Sequence, residues 1–135
     1  METSELDTDA VVRVAAFRAA LRSFLHRSEQ VARSSGLTPQ RYLLLLMIKG
    51  APDGSEQATV TDLAGRLRLG QSTVTELVKR AETAGLVERE RSDVDARVAH
   101  VRLTAEGERR LAGSFTALEE ERRELQRIFG ELDRA

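Results

Sequence analysis

The chain has 135 residues, a length typical of one domain with a modest hydrophobic core. Its 21 lysine and arginine residues are balanced by 22 aspartate and glutamate residues, so any attraction for a polyanion must come from a local cluster of charge. The absence of cysteine excludes a disulfide framework, a thiolate zinc site and a thiol redox switch.

Three further expectations follow from the composition. Only His26 and His100 offer imidazole, and they lie far apart in the sequence, so we expect no metal site and no cofactor. No apolar run is long enough to span a bilayer. The acidic start from Met1 to Glu5 lacks the basic and apolar regions of a signal peptide. We therefore expect a cytoplasmic protein without membrane contact.

The first predicted element is a long helix at residues 9–35, ending before Gly36. Its apolar positions are spaced by three and four residues, which indicates a heptad-like seam. The seam consists of Val14, Phe17, Leu21, Phe24, Ser28 and Val31.

A second helix is predicted between Thr38 and Gly50. Thr38 can cap its start, proline suits the first helical position at Pro39, and glycine ends it. The apolar run Leu43–Ile48 predicts a helix that is buried on most sides. The residues at 51–56 are typical of a loop.

Residues 59–84 have the pattern of a helix-turn-helix unit. Thr59 and Asp62 form a predicted capping box at the start of its first helix. A tight turn at Leu67–Gly70 leads to a second helix that stops before Gly85. Two helices joined by a short turn containing glycine define this motif.

The second helix of this unit has two distinct faces. Val74, Leu77, Val78 and Ala81 recur at helical spacing and predict an inward stripe. On the other face, short hydroxyl side chains permit close approach to a groove, and basic side chains can contact phosphates. That face consists of Ser72, Thr73, Thr75, Glu76, Lys79 and Arg80. The alternative is an ordinary surface helix with a solvated polar side.

Residues 86–103 predict a β-hairpin, here called the wing, whose two runs flank the turn-favouring segment 92–96. Its tip carries Arg91, Asp93, Asp95 and Arg97. An arginine at a hairpin tip suits the negative potential of a narrow minor groove. Asp95 is positioned to orient Arg97 by a charge-assisted hydrogen bond. The alternative is a solvated hairpin with no partner.

The last segment, residues 105–135, follows a predicted cap at Thr104 and is expected to bend or break at Gly113–Ser114. It carries a second seam formed by Leu111, Phe115, Leu118, Arg122, Leu125, Phe129 and Leu132. Because so small a core cannot easily bury two long stripes, we expect the terminal helices to pair with those of a second copy. The alternative is an intramolecular hairpin of these two helices.

Four segments in this order and spacing resemble the multiple antibiotic resistance regulator (MarR) family of winged-helix transcription factors. They are Leu63–Arg80, Gly85–Val87, Asp95–Arg97 and Leu103–Gly107. The resemblance covers nearly the whole chain. It implies one mainly α domain at 1–135 with a small β-hairpin wing. Dimerisation helices at 9–35 and 105–135 would then flank a winged-helix lobe at 38–104.

The resemblance also implies a homodimer that binds a pseudo-palindromic operator in double-stranded DNA, as a repressor released by a small ligand. Ser72, Thr73, Thr75, Lys79 and Arg80 fall on the family's major-groove positions. Arg97 falls on the arginine that enters the minor groove, Asp95 on its acidic partner, and Arg91 adds positive charge at the tip. Glu76 departs from the family, where this position is often basic. Its carboxylate would repel phosphate unless it accepts from a cytosine amino group.

The resemblance further implies an anionic or aromatic effector in a cleft between the terminal helices and the winged-helix lobe, with His26, Arg41 and Tyr42 as candidate contacts. The alternative is a core histidine and a packing tyrosine. A winged helix used only for protein contacts is the second functional possibility. An enzyme is not expected, because no nucleophile with histidine, phosphate loop or spaced set of metal ligands is present.

Overall fold

The computed structural model describes residues 5–92, 94–95 and 97–133. Asp93 and Ala96, which we placed in the wing turn, lie outside these ranges. In chain order the elements are α1 (Thr8–Ser34), α2 (Pro39–Lys49), β1 (Gln57–Ala58), α3 (Val60–Leu67), α4 (Gln71–Thr83), β2 (Val87–Arg91), β3 (Ala99–Leu103), α5 (Ala105–Ala117) and α6 (Glu119–Gly130). The predicted mainly α winged helix-turn-helix fold is confirmed.

The wing is part of a three-stranded antiparallel sheet with the order β1-β3-β2. In β3, Val101 is opposite Arg89 of β2 on one side and Ala58 of β1 on the other. A two-stranded hairpin was predicted, so β1 is an addition to it. The strand has only two residues, too few for the alternation that identifies a strand in a sequence.

The hydrophobic core is centred on α2. Leu44, Leu45 and Ile48 have no exposed surface. Leu63 of α3, Val78 of α4 and Val101 of β3 are among the residues buried with them. The prediction that this helix is buried on most sides is confirmed, although Leu43 is 41 % exposed. One side of α2 therefore remains open near its start.

The break in the C-terminal segment lies at Leu118, so the break predicted at Gly113–Ser114 is wrong. Ser114 stays inside α5, fully buried, and its hydroxyl lies 2.8 Å from that of Ser35. At the end of α5, Arg122 donates to the Phe115 carbonyl at 2.7 Å and stacks over the Phe115 ring. This contact adds a side-chain donor to a terminal carbonyl that also accepts from the Leu118 backbone N–H at 3.3 Å.

The terminal helices α1 and α6 pack against each other within the chain. The rings of Phe17 and Phe129 meet edge to face with centroids 5.6 Å apart. Arg27 and Glu121 form an ion pair at 3.5 Å. The intramolecular alternative is thus observed for part of both seams. Large apolar side chains nevertheless stay exposed on these elements, including Val11, Val12, Val14 and Phe129.

Candidate nucleic-acid interface

The helix-turn-helix begins with the predicted capping box. The Thr59 hydroxyl accepts from the Asp62 backbone N–H at 3.1 Å, and the Asp62 carboxylate accepts from the Thr59 N–H at 3.3 Å. Arg68 then ends α3 in the left-handed conformation, with φ 57° and ψ 46°. Gly70 is extended and starts α4 without a side-chain cap. The chain thereby turns from α3 into α4 within three residues.

The predicted division of α4 into two faces is confirmed. Its inward stripe is buried at Val74, Leu77, Val78 and Ala81. The side chains of Ser72, Thr73, Glu76, Lys79 and Arg80 are exposed, and Thr75 is half-buried at the edge. Because Gly70 offers no capping oxygen, backbone N–H groups at the start of α4 remain available to an anion at the positive end of the helix dipole.

Glu76 and Arg80 are neighbours on the exposed face of α4. Arg80 Nε lies 3.4 Å from Glu76 Oε1, and the two side chains are 66 % and 58 % exposed. Ion pairs so open to solvent contribute little to stability. The pair therefore reduces the positive charge of this face without locking either side chain.

The tip of the wing contains the predicted ion pair between Asp95 and Arg97. One carboxylate oxygen of Asp95 accepts from the Arg97 backbone N–H at 3.0 Å and from Nε at 3.2 Å, while the other accepts from Nη2 at 3.3 Å. Arg97 lowers the pKa of Asp95 below its ordinary value of 3.8. The Arg97 side chain is 91 % exposed, so its guanidinium is oriented while facing solvent. Arg91, also exposed, ends β2 opposite Ala99.

The wing is attached to α4 by a contact that the sequence analysis missed. Arg89 Nε in β2 donates to Glu82 Oε1 in α4 at 2.8 Å, and both side chains are about one-third exposed. No spacing rule pairs a helix residue with a strand residue across an intervening turn. The hydrogen bond to Glu82 commits the Arg89 side chain to a contact within its own chain.

The base of the wing explains the Leu-Thr-x-x-Gly segment, Leu103–Gly107. The Thr104 hydroxyl donates to the Gly85 carbonyl at 2.6 Å and accepts from the Gly107 backbone N–H at 3.1 Å. A side chain at Gly107 would collide with the Leu86 carbonyl. Threonine and glycine at these two positions allow the start of α5 to pack directly against the residues that follow α4.

Of the three candidate effector contacts, Tyr42 lies beside a cavity. The cavity measures about 230 Å³ and is lined by Leu25, Ser28, Glu29, Pro39, Tyr42 and Leu43. Burial raises the pKa of the Tyr42 hydroxyl, partly offset by a hydrogen bond with Ser28 and by the charge of Arg122. His26 is exposed on α1 and Arg41 is half-buried. Neither is among the described residues that line this cavity.

Among residues 5–92, 94–95 and 97–133, no three histidine, aspartate or glutamate side chains converge where a metal ion would bind. Within those ranges, no helix has the length and apolar character needed to cross a bilayer.

Similarity to known proteins supports the assignment of this chain to the winged-helix class. The MarR family model matches residues 35–98. The HTH-type transcriptional regulator MgrA of Staphylococcus aureus is 30% identical over 115 residues, which cover 78% of this chain and 76% of that protein. A MarR family protein from Bacillus stearothermophilus superimposes with a TM-score of 0.71 at 25% identity, covering 92% of this chain and 82% of the other. The M. tuberculosis transcriptional regulator MOSR, solved in complex with DNA, has a TM-score of 0.60 at 25% identity, with 83% and 78% covered.

The three-stranded sheet and the exposed second helix of the helix-turn-helix define a winged-helix protein. The chain belongs to the MarR family and is a transcriptional regulator of that family. The relatives that it matches include HTH-type transcriptional regulators.

Proposed function

We propose that this protein is a homodimeric, sequence-specific DNA-binding repressor. The observation that carries the proposal is the exposed face of α4, where Ser72, Thr73 and Lys79 lie opposite a fully buried stripe. Small hydroxyl side chains near the start of the helix let its backbone approach base edges in the major groove. Lys79 and Arg80, about two turns further on, are placed for phosphates. Thr75 completes the contact at the edge of the face.

The wing supplies the second contact of the proposal. Arg97 would enter the minor groove beside the recognition site, where negative potential favours a guanidinium. Asp95 holds that guanidinium in one direction before DNA binds, which reduces the entropy lost on binding. Arg91 at the end of β2 adds positive charge next to the tip.

Dimerisation would cover the apolar surface that packing within one chain leaves open. Val12, Val14 and Phe129 are large, exposed and located on the terminal helices. Exposed apolar side chains concentrated on two packed elements are typical of an interface. In a two-fold dimer, two copies of α4 would bind half-sites about one helical turn apart, on a pseudo-palindromic operator.

Relief of repression would come from a small ligand in the cavity beside Tyr42. Leu25, Pro39 and Leu43 give it apolar walls, and the buried Tyr42 hydroxyl offers a polar contact. An aromatic compound fits this lining better than a simple anion does, because Glu29 contributes a carboxylate to the rim. A ligand there would touch α1 and α2 together. Such a repressor acts on the chromosome in the cytoplasm.

The proposal is tested by binding and sedimentation measurements on the full chain. Fluorescence anisotropy with the promoter upstream of the gene should show binding that weakens as salt rises, with a log–log slope of about −0.9 per phosphate contact. Analytical ultracentrifugation should give twice the 15.0 kDa mass of one chain.

Each part of the proposal has its own contrary result. A stable monomer at micromolar concentration would contradict the dimer. If neither the promoter nor a random duplex library is bound, DNA recognition is wrong and the protein-contact alternative replaces it. Unchanged DNA affinity across a screen of small aromatic compounds would remove the effector from the proposal.

A further inference from the structure

The exposed face of α4 contains one acidic residue at its centre, Glu76. It lies one helical turn from Thr73 on one side and from Lys79 on the other. If α4 enters the major groove as proposed above, this carboxylate is carried close to base edges and between two phosphate backbones. A negative charge in that place opposes binding unless a hydrogen-bond donor on the DNA meets it.

Comparison with Glu82, the other acidic residue of α4, indicates that the Glu76 side chain does not fix one part of the fold to another. Glu82 is fixed at 2.8 Å by Arg89 from β2, and both side chains are largely covered. Among the described residues, Glu76 has an ion pair only with Arg80 of its own helix, at 3.4 Å, and both side chains are mostly exposed. So open a pair separates readily. Arg80 is then available to a phosphate and Glu76 to a base.

The chemistry of the carboxylate selects the base. An ionised carboxylate only accepts hydrogen bonds. In the major groove, guanine presents two acceptors and thymine an acceptor and a methyl group, so both disfavour it. Adenine offers its N6 amino group beside the N7 acceptor, which repels the second carboxylate oxygen. Cytosine offers the N4 amino group without an adjacent acceptor.

We propose that Glu76 is a specificity-determining residue that accepts a hydrogen bond from the N4 amino group of one cytosine in each operator half-site. Its carboxylate would also disfavour DNA with an acceptor at that position, so it would lower binding to unrelated sequences. This inference rests on the proposed DNA binding and deepens it.

The test is selection from a randomised duplex library by the full-length wild type and by Glu76→Gln, Glu76→Ala and Glu88→Gln. Glu88 is exposed on β2, so Glu88→Gln removes the same charge outside α4. The wild type should recover a palindrome with cytosine at one symmetric pair of positions. Glu76→Gln should move that preference toward adenine, which glutamine contacts through N6 and N7. Glu76→Ala should lower the cytosine preference by about tenfold or more.

The control variant separates base recognition from simple charge repulsion. Glu88→Gln should keep the wild-type base preference and raise affinity by a similar factor for all sequences. If Glu76→Gln and Glu76→Ala behave in the same uniform way, Glu76 acts only through its charge and the inference is wrong. If the wild type enriches no sequence, the proposed function itself fails. Circular dichroism melting of each variant should match the wild type, because positions 76 and 88 are both exposed.

Discussion

Glu82 in α4 accepts a hydrogen bond from Arg89 in β2 at 2.8 Å, which fixes the first wing strand to the helix that precedes it. The two side chains come from elements on either side of the turn at Gly85. This contact relates the orientation of the wing to that of α4. The two elements proposed to contact DNA are therefore positioned by one another.

A double-mutant cycle should detect this contact. Glu82→Gln and Arg89→Gln are expected to show a coupling free energy of about 0.2–1 kcal/mol in urea denaturation, because the pair is short and partly covered. The matched control is a cycle on Glu76 and Arg80, whose pair is longer and more exposed. The control coupling should be the smaller of the two. Equal couplings would show that Glu82 and Arg89 do not fix the wing.

Thr104 should be sensitive to loss of its hydroxyl and tolerant of a shorter side chain. Thr104→Ala removes both the cap of α5 and the hydrogen bond to the Gly85 carbonyl, so we expect a loss of about 1–2 kcal/mol in the free energy of unfolding. Thr104→Ser keeps the hydroxyl and should remain within about 0.5 kcal/mol of the wild type. Chemical denaturation of the three proteins measures the difference. Similar losses for both variants would assign the role to the methyl group.

Gly107 and Gly113 lie in the same helix and should respond oppositely to alanine. Gly107→Ala forces a methyl group against the Leu86 carbonyl and should cost about 1–3 kcal/mol of stability. At Gly113 a methyl group meets only the Ser35 hydroxyl at 3.8 Å, an ordinary contact. Gly113→Ala should therefore stabilise α5 by about 0.5–1 kcal/mol. Melting temperatures that shift in the same direction would contradict this account.

The Asp95 carboxyl should titrate at a lower pH than an ordinary aspartate. Hydrogen bonds from Arg97 lower its pKa in the folded protein, so the interaction is fully present above the unfolded pKa and is lost as pH falls through the folded pKa. Carbon-detected NMR should give a midpoint below 3.8. In Arg97→Ala the midpoint should rise toward that value. An unchanged midpoint in the variant would show that Arg97 does not cause the shift.

Arg97→Ala should also weaken operator binding, by about tenfold or more, if the guanidinium contacts the minor groove. Asp95→Asn keeps the guanidinium but loses the ion pair, so its effect on affinity should be smaller. Sedimentation should show no change in assembly for either variant, because both positions lie at the wing tip. Wild-type affinity in Arg97→Ala, measured by anisotropy, would exclude this contact from the interface.

The parts of the fold that local chemistry determines could be predicted from the sequence. Thr38, Thr59 and Thr104 accept hydrogen bonds as caps of the helices that they precede. The periodicity of α4 separated its buried stripe from its exposed face, because that division depends only on helical spacing. The ion pair of Asp95 and Arg97 was likewise predictable, since its partners are only two positions apart in the chain.

Features that depend on distant partners were missed. The strand β1 exists because Gln57 and Ala58 pair with Arg102 and Val101, which follow more than forty residues later. The sequence predicts the break at Gly113–Ser114 and not at Leu118, because a glycine-serine pair is a common cause of helix kinks. Ser114 is instead held by Ser35, the residue that caps the end of α1. The acidic first turn of α6, Glu119–Glu121, was the local signal for the true boundary, since carboxylates favour helix starts.

The pairing of β1 with β3 has a mechanical consequence. β1 precedes α3 and β3 follows α4 and β2, so backbone hydrogen bonds close the segment from Gln57 to Leu103 into a ring. The pairing of β1 with β3 restricts movement of the wing relative to the helix-turn-helix, whereas a wing without β1 could rotate about its base. A displacement of α2 or α5 would then rotate the segment from Gln57 to Leu103 as one rigid unit. In the proposed dimer, a ligand would therefore regulate DNA binding by changing the distance between the two winged-helix lobes and not the shape of either lobe.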